Sequence, residues 1–224
     1  MKKHVVIAAG GTGSRLVGSL PKQFTELSGK PVIMHAIQAF LHYAPDISLV
    51  LVLHESMKET WEGMCKKHHF HHRHDIATGG PTRFHSVKNG LRLVPDDVLV
   101  AVHDAVRPLV SLDTIARTFQ FAARFGNAIP VVSPADTVRT VDGAISKAVD
   151  REKIRLVQTP QCFIAGRLKK AFNKNYHESF TDEASVLEAD GERLFLVEGN
   201  HENIKITHAS DLLFAEAILA DKTH

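Results

Sequence analysis

Gly10, Gly11 and Gly13 stand directly after an apolar run, His4-Val5-Val6-Ile7-Ala8-Ala9, and are followed by Arg15 and by Pro21-Lys22-Gln23. Glycines in such a turn let backbone N–H groups close on an anion, and Arg15 and Lys22 add two cations at its rim, so the chemistry indicated is phosphate handling. Two familiar phosphate loops do not fit. The dinucleotide fingerprint needs a glycine where Leu16 stands and an acidic residue about 20 positions on. A P-loop needs Lys-Ser or Lys-Thr after its last glycine, whereas Gly18 leads into Ser19-Leu20. Without its neighbours the segment also reads as a strand-to-helix turn with two solvated cations.

Further along, His103-Asp104-Ala105-Val106-Arg107-Pro108 puts a carboxylate at the end of an apolar run. A hard oxygen ligand there suits Mg²⁺ bridging nucleotide phosphates, because Mg²⁺ takes one or two carboxylates plus substrate oxygens. A strand-end aspartate equally serves as a cap. Arg107 has two readings, a fork onto a second phosphate or an ion pair with Asp104. Thr181-Asp182-Glu183-Ala184-Ser185 has the form of a helix start with acids in its first turn. Asn203-Ile204-Lys205-Ile206-Thr207 reads as a strand whose Lys205 either snorkels to solvent or fixes a charge toward an anion, with Thr207 or Ser210 capping the helix that follows. The histidine-rich run His68-His69-Phe70-His71-His72-Arg73-His74 lacks the supporting Cys or acidic spacing of a zinc site. There is no G-x-S-x-G, and Cys162 has no activating base close in sequence.

The elements that must position these residues alternate between strand and helix patterns. Val32, Ile33, Ala36, Ile37, Phe40 and Leu41 recur at helical spacing behind Pro31, which is placed in the first turn. Ile47 to Leu53 is a near-continuous apolar run, suited to a strand covered on both faces. A helix over Ser56 to His69, a strand at Asp75 to Ala77, a turn at Gly79-Gly80, a helix from Arg83 to Val94 and a strand from Val98 to Val102 follow. Ser111 caps the next helix, which runs to Phe125, and Ala128 to Val132 is a further strand. This alternation predicts an α/β fold, a doubly wound, Rossmann-like and mostly parallel sheet with ligands at the carboxyl ends of its strands. Between Ser133 and Gln158 the pattern changes to short alternating segments joined at Asp142-Gly143, a hairpin signal. Val138, Val141, Ile145 and Val149 are too many apolar positions for a free ribbon, so residues 134–157 are expected to form an arm pairing with its twin in a homodimer.

Composition limits the remaining possibilities. The 224 residues, 44% of them apolar, support one sizeable core, and one domain over residues 1–224 is expected, with the arm inserted in it. The formal net charge of +2 excludes the broad basic field of a nucleic-acid binder, so an anion site must be local. Two distant cysteines, Cys65 and Cys162, fit a reduced protein without structural zinc. No apolar run approaches the roughly 18 residues of a membrane span, and the expected location is the cytoplasm.

Taken together, Ala8-Ala9-Gly10-Gly11 through Arg15, Pro21-Lys22-Gln23, Gly79-Gly80 with Arg83 and Ser86, His103 to Pro108, Val149-Asp150-Arg151, Thr159-Pro160-Gln161, Thr181 to Ser185 and Asn203 to Thr207 occur in the order and spacing of one family. Over essentially its whole length the chain resembles the 2-C-methyl-D-erythritol 4-phosphate cytidylyltransferases, which join CTP to methylerythritol phosphate and release pyrophosphate. The resemblance implies that Arg15 and Lys22 stabilise the transition state at the α-phosphate. It counts Gly10, Gly11, Gly13 and Arg83 among the substrate-binding positions and has the Gly79-Gly80 turn with Ser86 receive cytosine and ribose. Asp104 would lie by Mg²⁺ and substrate, and Arg107, Thr137 and Lys205 would meet methylerythritol phosphate. Arg151 would reach the methylerythritol phosphate in the partner subunit's site. Many relatives carry an acidic residue directly after the glycine pair, where Pro81 stands here. Two other readings stay open at this point: a ribitol-5-phosphate cytidylyltransferase, whose segments at Val149 to Arg151 and Thr181 to Ser185 look different, and a noncatalytic nucleotide-binding regulator.

Overall fold

A computed structural model describes residues 1–11 and 20–221, so Gly13 and Arg15 lie outside the described residues. The chain opens with β1 (Lys3–Ala9), a 3₁₀ turn at Lys22–Phe24, a small hairpin of β2 (Glu26–Leu27) and β3 (Lys30–Pro31), and helix α1 (Val32–Tyr43). Then follow β4 (Ser48–Leu53), α2 (Lys58–Lys67), β5 (Asp75–Thr78), α3 (Arg83–Leu91), β6 (Leu99–Asp104), α4 (Leu112–Phe125) and β7 (Asn127–Val132). The hairpin of β8 (Arg139–Asp142) and β9 (Ile145–Ala148) precedes β10 (Leu156–Val157), β11 (Gln161–Ile164), α5 (Ala165–Ala171), α6 (Glu183–Ala189), β12 (Leu196–Glu198) and α7 (Ala209–Asp221).

One eight-stranded sheet organises the chain. Strands β6, β1, β4 and β5 lie side by side in parallel. Beyond β6 the sheet is mixed: β11 runs antiparallel to both β6 and β7, and β12 pairs with β7 in parallel. The near-continuous apolar strands are buried on both faces because side chains alternate across the sheet. Val5, Ile7, Leu49, Leu51, Leu99 and Ala101 pack with Ile33, Ile37 and Phe40 of α1, Trp61 of α2, and Ile115 and Phe119 of α4. Val6, Val50, Val52, Val100 and Val102 face the other way, onto Phe84, Val87 and Leu91 of α3 and Leu168 of α5. Helices on both faces make the sheet doubly wound, as the alternation predicts.

Gly90 shows how closely α3 approaches the sheet: an added Cβ would lie 2.7 Å from Val52 Cγ2 and 2.8 Å from Val6 Cγ1. Gly90→Ala should therefore destabilise the fold by about 1–3 kcal/mol through overpacking, despite the better helix propensity of alanine. Chemical denaturation checks this; an unchanged midpoint would mean that α3 can move outward.

Several local expectations are corrected. Pro31 is the residue before α1 rather than in its first turn, in extended geometry that suits the β2–β3 hairpin. The helix expected from Ser56 to His69 is a 3₁₀ turn at Glu55–Met57 followed by α2. In the arm, Asp142 pairs with Ile145, so the connecting residues are Gly143-Ala144 rather than Asp142-Gly143. Gly143 takes a φ of +55°, the first position of a II′-type turn, where glycine is needed. Asn203 to Thr207 is not a strand. This segment is irregular and is tied down by the Ile206 N–H donating to Val106 O at 2.8 Å. Thr207 and Ser210 do not cap α7: the Asp211 carboxylate accepts from the backbone N–H groups of Thr207 and His208 at 2.7 and 2.8 Å and closes the helix start itself.

The arm forms its own two-stranded sheet, with Val141 72% and Ile145 75% exposed. His74 of the histidine run accepts from the buried Trp61 Nε1 at 2.9 Å and bonds through Nδ1 to His72 O. No group of three or more metal-ligating side chains occurs among the described residues. Likewise, no described helix is long and apolar enough to cross a membrane.

Candidate active site

The parallel strands bring their carboxyl ends to one rim. Ala8 of β1 is in register with Asp104 of β6, and the Ala105 N–H donates to Ala8 O. On the other side of β4, the Gly79 N–H donates to Leu53 O at 2.7 Å. A cavity of about 600 Å³ opens on this rim, walled by Gly10, Gly11 and Lys22 from the first loop, by Gly80 to Arg83 and Ser86, and by Asp104 and Lys205. Gly10 is needed for contact rather than for φ: a Cβ there would lie 2.7 Å from Ser86 Oγ and 3.3 Å from Gly79 Cα. The first loop and the Gly79-Gly80 turn thus close on each other, and Ser86 Oγ accepts the Gly80 N–H at 3.0 Å. Gln23 completes this side. Its buried amide donates to Ala9 O and Gly11 O at 3.3 and 3.0 Å, which fastens the turn carrying Lys22 to the end of β1.

Asp104 is the electrostatic centre. Arg83 reaches its Oδ1 through Nε at 3.2 Å and Nη2 at 3.1 Å, Lys205 Nζ sits 3.0 Å from Oδ2, and Arg107 Nε lies 3.6 Å from Oδ2. Burial works against the charge of Asp104, but Arg83, Lys205 and Arg107 outweigh it and hold the carboxyl well below the usual carboxylate range. Burial likewise opposes the charge of Arg83, while Glu183 and Asp104 on either side raise its pKa above the ordinary value. Glu183 is itself raised by burial, with Arg83 pulling the other way. Behind Asp104, its backbone N–H donates to Thr159 Oγ1, which contacts His103 Nδ1 at 3.0 Å, and the far ring nitrogen of His103 meets Arg107 O. Burial pushes His103 down to about 4, so it is a neutral spacer at physiological pH.

A rim of this kind, with Lys22, Arg83 and Lys205 beside a glycine-walled cleft, has the charge to meet an anion. Residues 3–221 match the family of 2-C-methyl-D-erythritol 4-phosphate cytidylyltransferase (IspD). The chain belongs to this family. The protein of that name from Phocaeicola vulgatus is 47% identical over 98% of this chain and 100% of its own length. Among solved structures, the enzyme from Francisella tularensis superposes with a TM-score of 0.81 at 32% identity, covering 97% of this chain and 99% of that one. The Thermus thermophilus enzyme gives 0.77 at 30% identity, covering 98% of this chain and all of the other.

Gly10, Gly11, Lys22, Gly80, Arg83, Ser86, Asp104 and Lys205 meet at the cavity. Gly79 backs the wall against Gly10, and Arg107 sits behind Asp104, where its Nη1 donates to Asn203 O at 2.7 Å. Arg107 lies beside Asp104 as in the ion-pair reading, while Lys205 is half-exposed at the cavity and pairs with Asp104 itself. Thr137 and Arg151 are exposed on the arm and do not line the cavity; Arg151 Nη1 donates to Ala135 O at 3.0 Å. Two buried side chains that tie this rim together, Gln23 and Glu183, carry no distinct signal in the sequence. Gln23 was visible only as the end of Pro21-Lys22-Gln23, and Glu183 looked like an ordinary first-turn acid.

Proposed function

We infer that the chain transfers the cytidylyl group of CTP to the phosphate of 2-C-methyl-D-erythritol 4-phosphate, giving 4-diphosphocytidyl-2-C-methyl-D-erythritol and pyrophosphate. The observation that carries this reading is the cation-rimmed cleft at the strand ends in a chain matching the family over residues 3–221. A phosphate monoester is already an anionic nucleophile near neutral pH, so no general base is required. The barrier is repulsion between anions. Attack on the α-phosphorus crowds charge onto one centre, and orientation plus electrostatic stabilisation lower that barrier. Lys22 at the cavity wall supplies one fixed cation for that centre, and the family resemblance assigns Arg15 the same task. Lys205 and Arg107 offer charge to the polyol phosphate. Thr137 joins them in this reading.

We assign Mg²⁺ as the cofactor. The protein lines the cavity with one ionised carboxylate, Asp104, contacted by Arg83, Arg107 and Lys205, and a hard cation that brings phosphate oxygens with it would need a single such carboxylate, with Lys205 giving way at Oδ2. When bound, the metal would neutralise triphosphate charge. Asp104→Asn should lower activity and raise the Mg²⁺ concentration needed for half-maximal rate. An unchanged Mg²⁺ titration would leave Asp104 with only a substrate-orienting role.

We further propose a cytoplasmic homodimer. Both cysteines are free, with Cys162 fully buried and its thiol pushed up to about 12 by burial, as suits a reducing compartment. The exposed Val141 and Ile145 on the arm are the apolar surface a second subunit would cover, which would carry Arg151 to the neighbour's site. Pyrophosphate release, measured with CTP and either methylerythritol phosphate or ribitol 5-phosphate, tests the activity. Release with the first substrate alone is expected. Release with ribitol phosphate alone would overturn the substrate assignment, and CTP binding without release from either would make the chain a nucleotide-binding regulator.

A further inference from the structure

Arg83 is held between two carboxylates. On one side it forks onto a single oxygen of Asp104, through Nε and Nη2. On the other, Nη1 and Nη2 reach Oε1 and Oε2 of Glu183 at 2.5 and 3.1 Å. Glu183 is 1% exposed and does not line the cavity, so it has no direct route to substrate. It is nevertheless placed with care. The first turn of α6 is locked to β11 by Gln161, whose Nε2 donates to Asp182 Oδ2 and whose Oε1 accepts the Ala184 N–H at 2.9 Å. Arg83 opens α3, and Ser86, one turn later on the same helix, receives the Gly80 N–H.

We propose that Glu183 is a positioning residue for the reaction: by holding Nη1 and Nη2 of Arg83 it fixes the tilt of the guanidinium, so that Arg83 meets only Oδ1 of Asp104 and Oδ2 is left to Arg107 and, on the cavity side, to Lys205. This rests on the activity inferred above. Nε and Nη2 form one edge of the Arg83 guanidinium and Nη1 and Nη2 the next, so Glu183, by holding Nη1 and Nη2 with both of its oxygens, sets the tilt at which the first edge meets Asp104. At that tilt Nε and Nη2 both converge on Oδ1, and Asp104 meets Arg83 through one oxygen only. A glutamine at position 183 has nearly the same volume but keeps one acceptor oxygen and puts an NH2 where the second stood, so one Arg83 N–H loses its partner and the charge that held the guanidinium is gone. Arg83 would then turn to Asp104, bridge both of its oxygens and displace Lys205 from Oδ2. The same rotation would shift the start of α3, and with it the Ser86–Gly80 contact.

The test is Glu183→Gln, alone and combined with Arg83→Gln. The single variant should lose at least tenfold in kcat with methylerythritol phosphate while melting well above the assay temperature and binding CTP at one site per chain, which separates misplacement from unfolding. Because Glu183 acts through Arg83, the double variant should be no worse than the poorer single one; losses that multiply would overturn the proposal. A crystal structure of Glu183→Gln gives a readout that does not depend on activity. Arg83 bridging both Asp104 oxygens is expected, and Arg83 unmoved, or kcat within threefold of wild type, would overturn the proposal. A wild-type chain that releases no pyrophosphate would refute the assigned reaction, while the crystal structure would still decide the role of Glu183.

Discussion

Replacing Lys22 by alanine is expected to cut turnover by about 10²–10³, the usual cost of removing one fixed donor aimed at transition-state charge. The cut should fall on turnover far more than on folding. Lys22 sits in a 3₁₀ turn whose anchors are its neighbours: Gln23, 3% exposed and bonded to the end of β1, and Phe24, 2% exposed in the core. Both survive the substitution. Stability should then stay within about 1 kcal/mol of wild type, as for a substitution that removes no core contact. Steady-state pyrophosphate release and a thermal melt on the same preparation check both halves. Turnover above a tenth of wild type would remove Lys22 from the mechanism. Arg15→Ala should behave alike, by the role that the family resemblance gives Arg15.

What could be read from the chain follows from how much of each interaction is local. Strands β1, β4 and β6 were legible because burial on both faces leaves an uninterrupted apolar run, and the glycine turns and Asp104 fall at the carboxyl ends of β1, β5 and β6. Strand β11 was not foreseen. It has four residues, and its neighbours β6 and β7 come from well before it in the chain. The alternation Ile204-Lys205-Ile206 looks like a strand, yet it has a different cause: Ile206 packs with Leu27, Val32 and Ala215, and Lys205 turns to Asp104. In the arm, the Asp142-Gly143 pair marked the turn, but register is set one residue later because only Gly143 needs positive φ. Glu183 has the least local cause of all. Its partner Arg83 lies 100 residues away, and as a first-turn acid it was already accounted for by the helix start it helps to make.

Mixing an Arg151→Ala chain with a Lys22→Ala chain is expected to restore activity that neither shows alone. The arm is where Arg151 sits, exposed and absent from the cavity of its own chain, whereas Lys22 lines that cavity. If the arm's Val138, Val141, Ile145 and Val149 are covered by a second subunit, Arg151 is delivered to the neighbour's site, and every site takes Lys22 from one chain and Arg151 from the other. In a mixed dimer one site then receives both defects and the other receives neither. Random exchange makes half the dimers mixed, each with one good site of two, so recovery should approach about a quarter of wild-type activity by counting for a two-fold dimer. The homodimers of each variant fix the baseline, and subunit exchange is verified by mass-tagged chains. Recovery well above a quarter would require more than one intact site per mixed dimer, which this geometry forbids. Two inactive variants that stay inactive after complete exchange would mean that Arg151 serves its own chain, and the shared-site arrangement would be wrong even if the dimer itself is real.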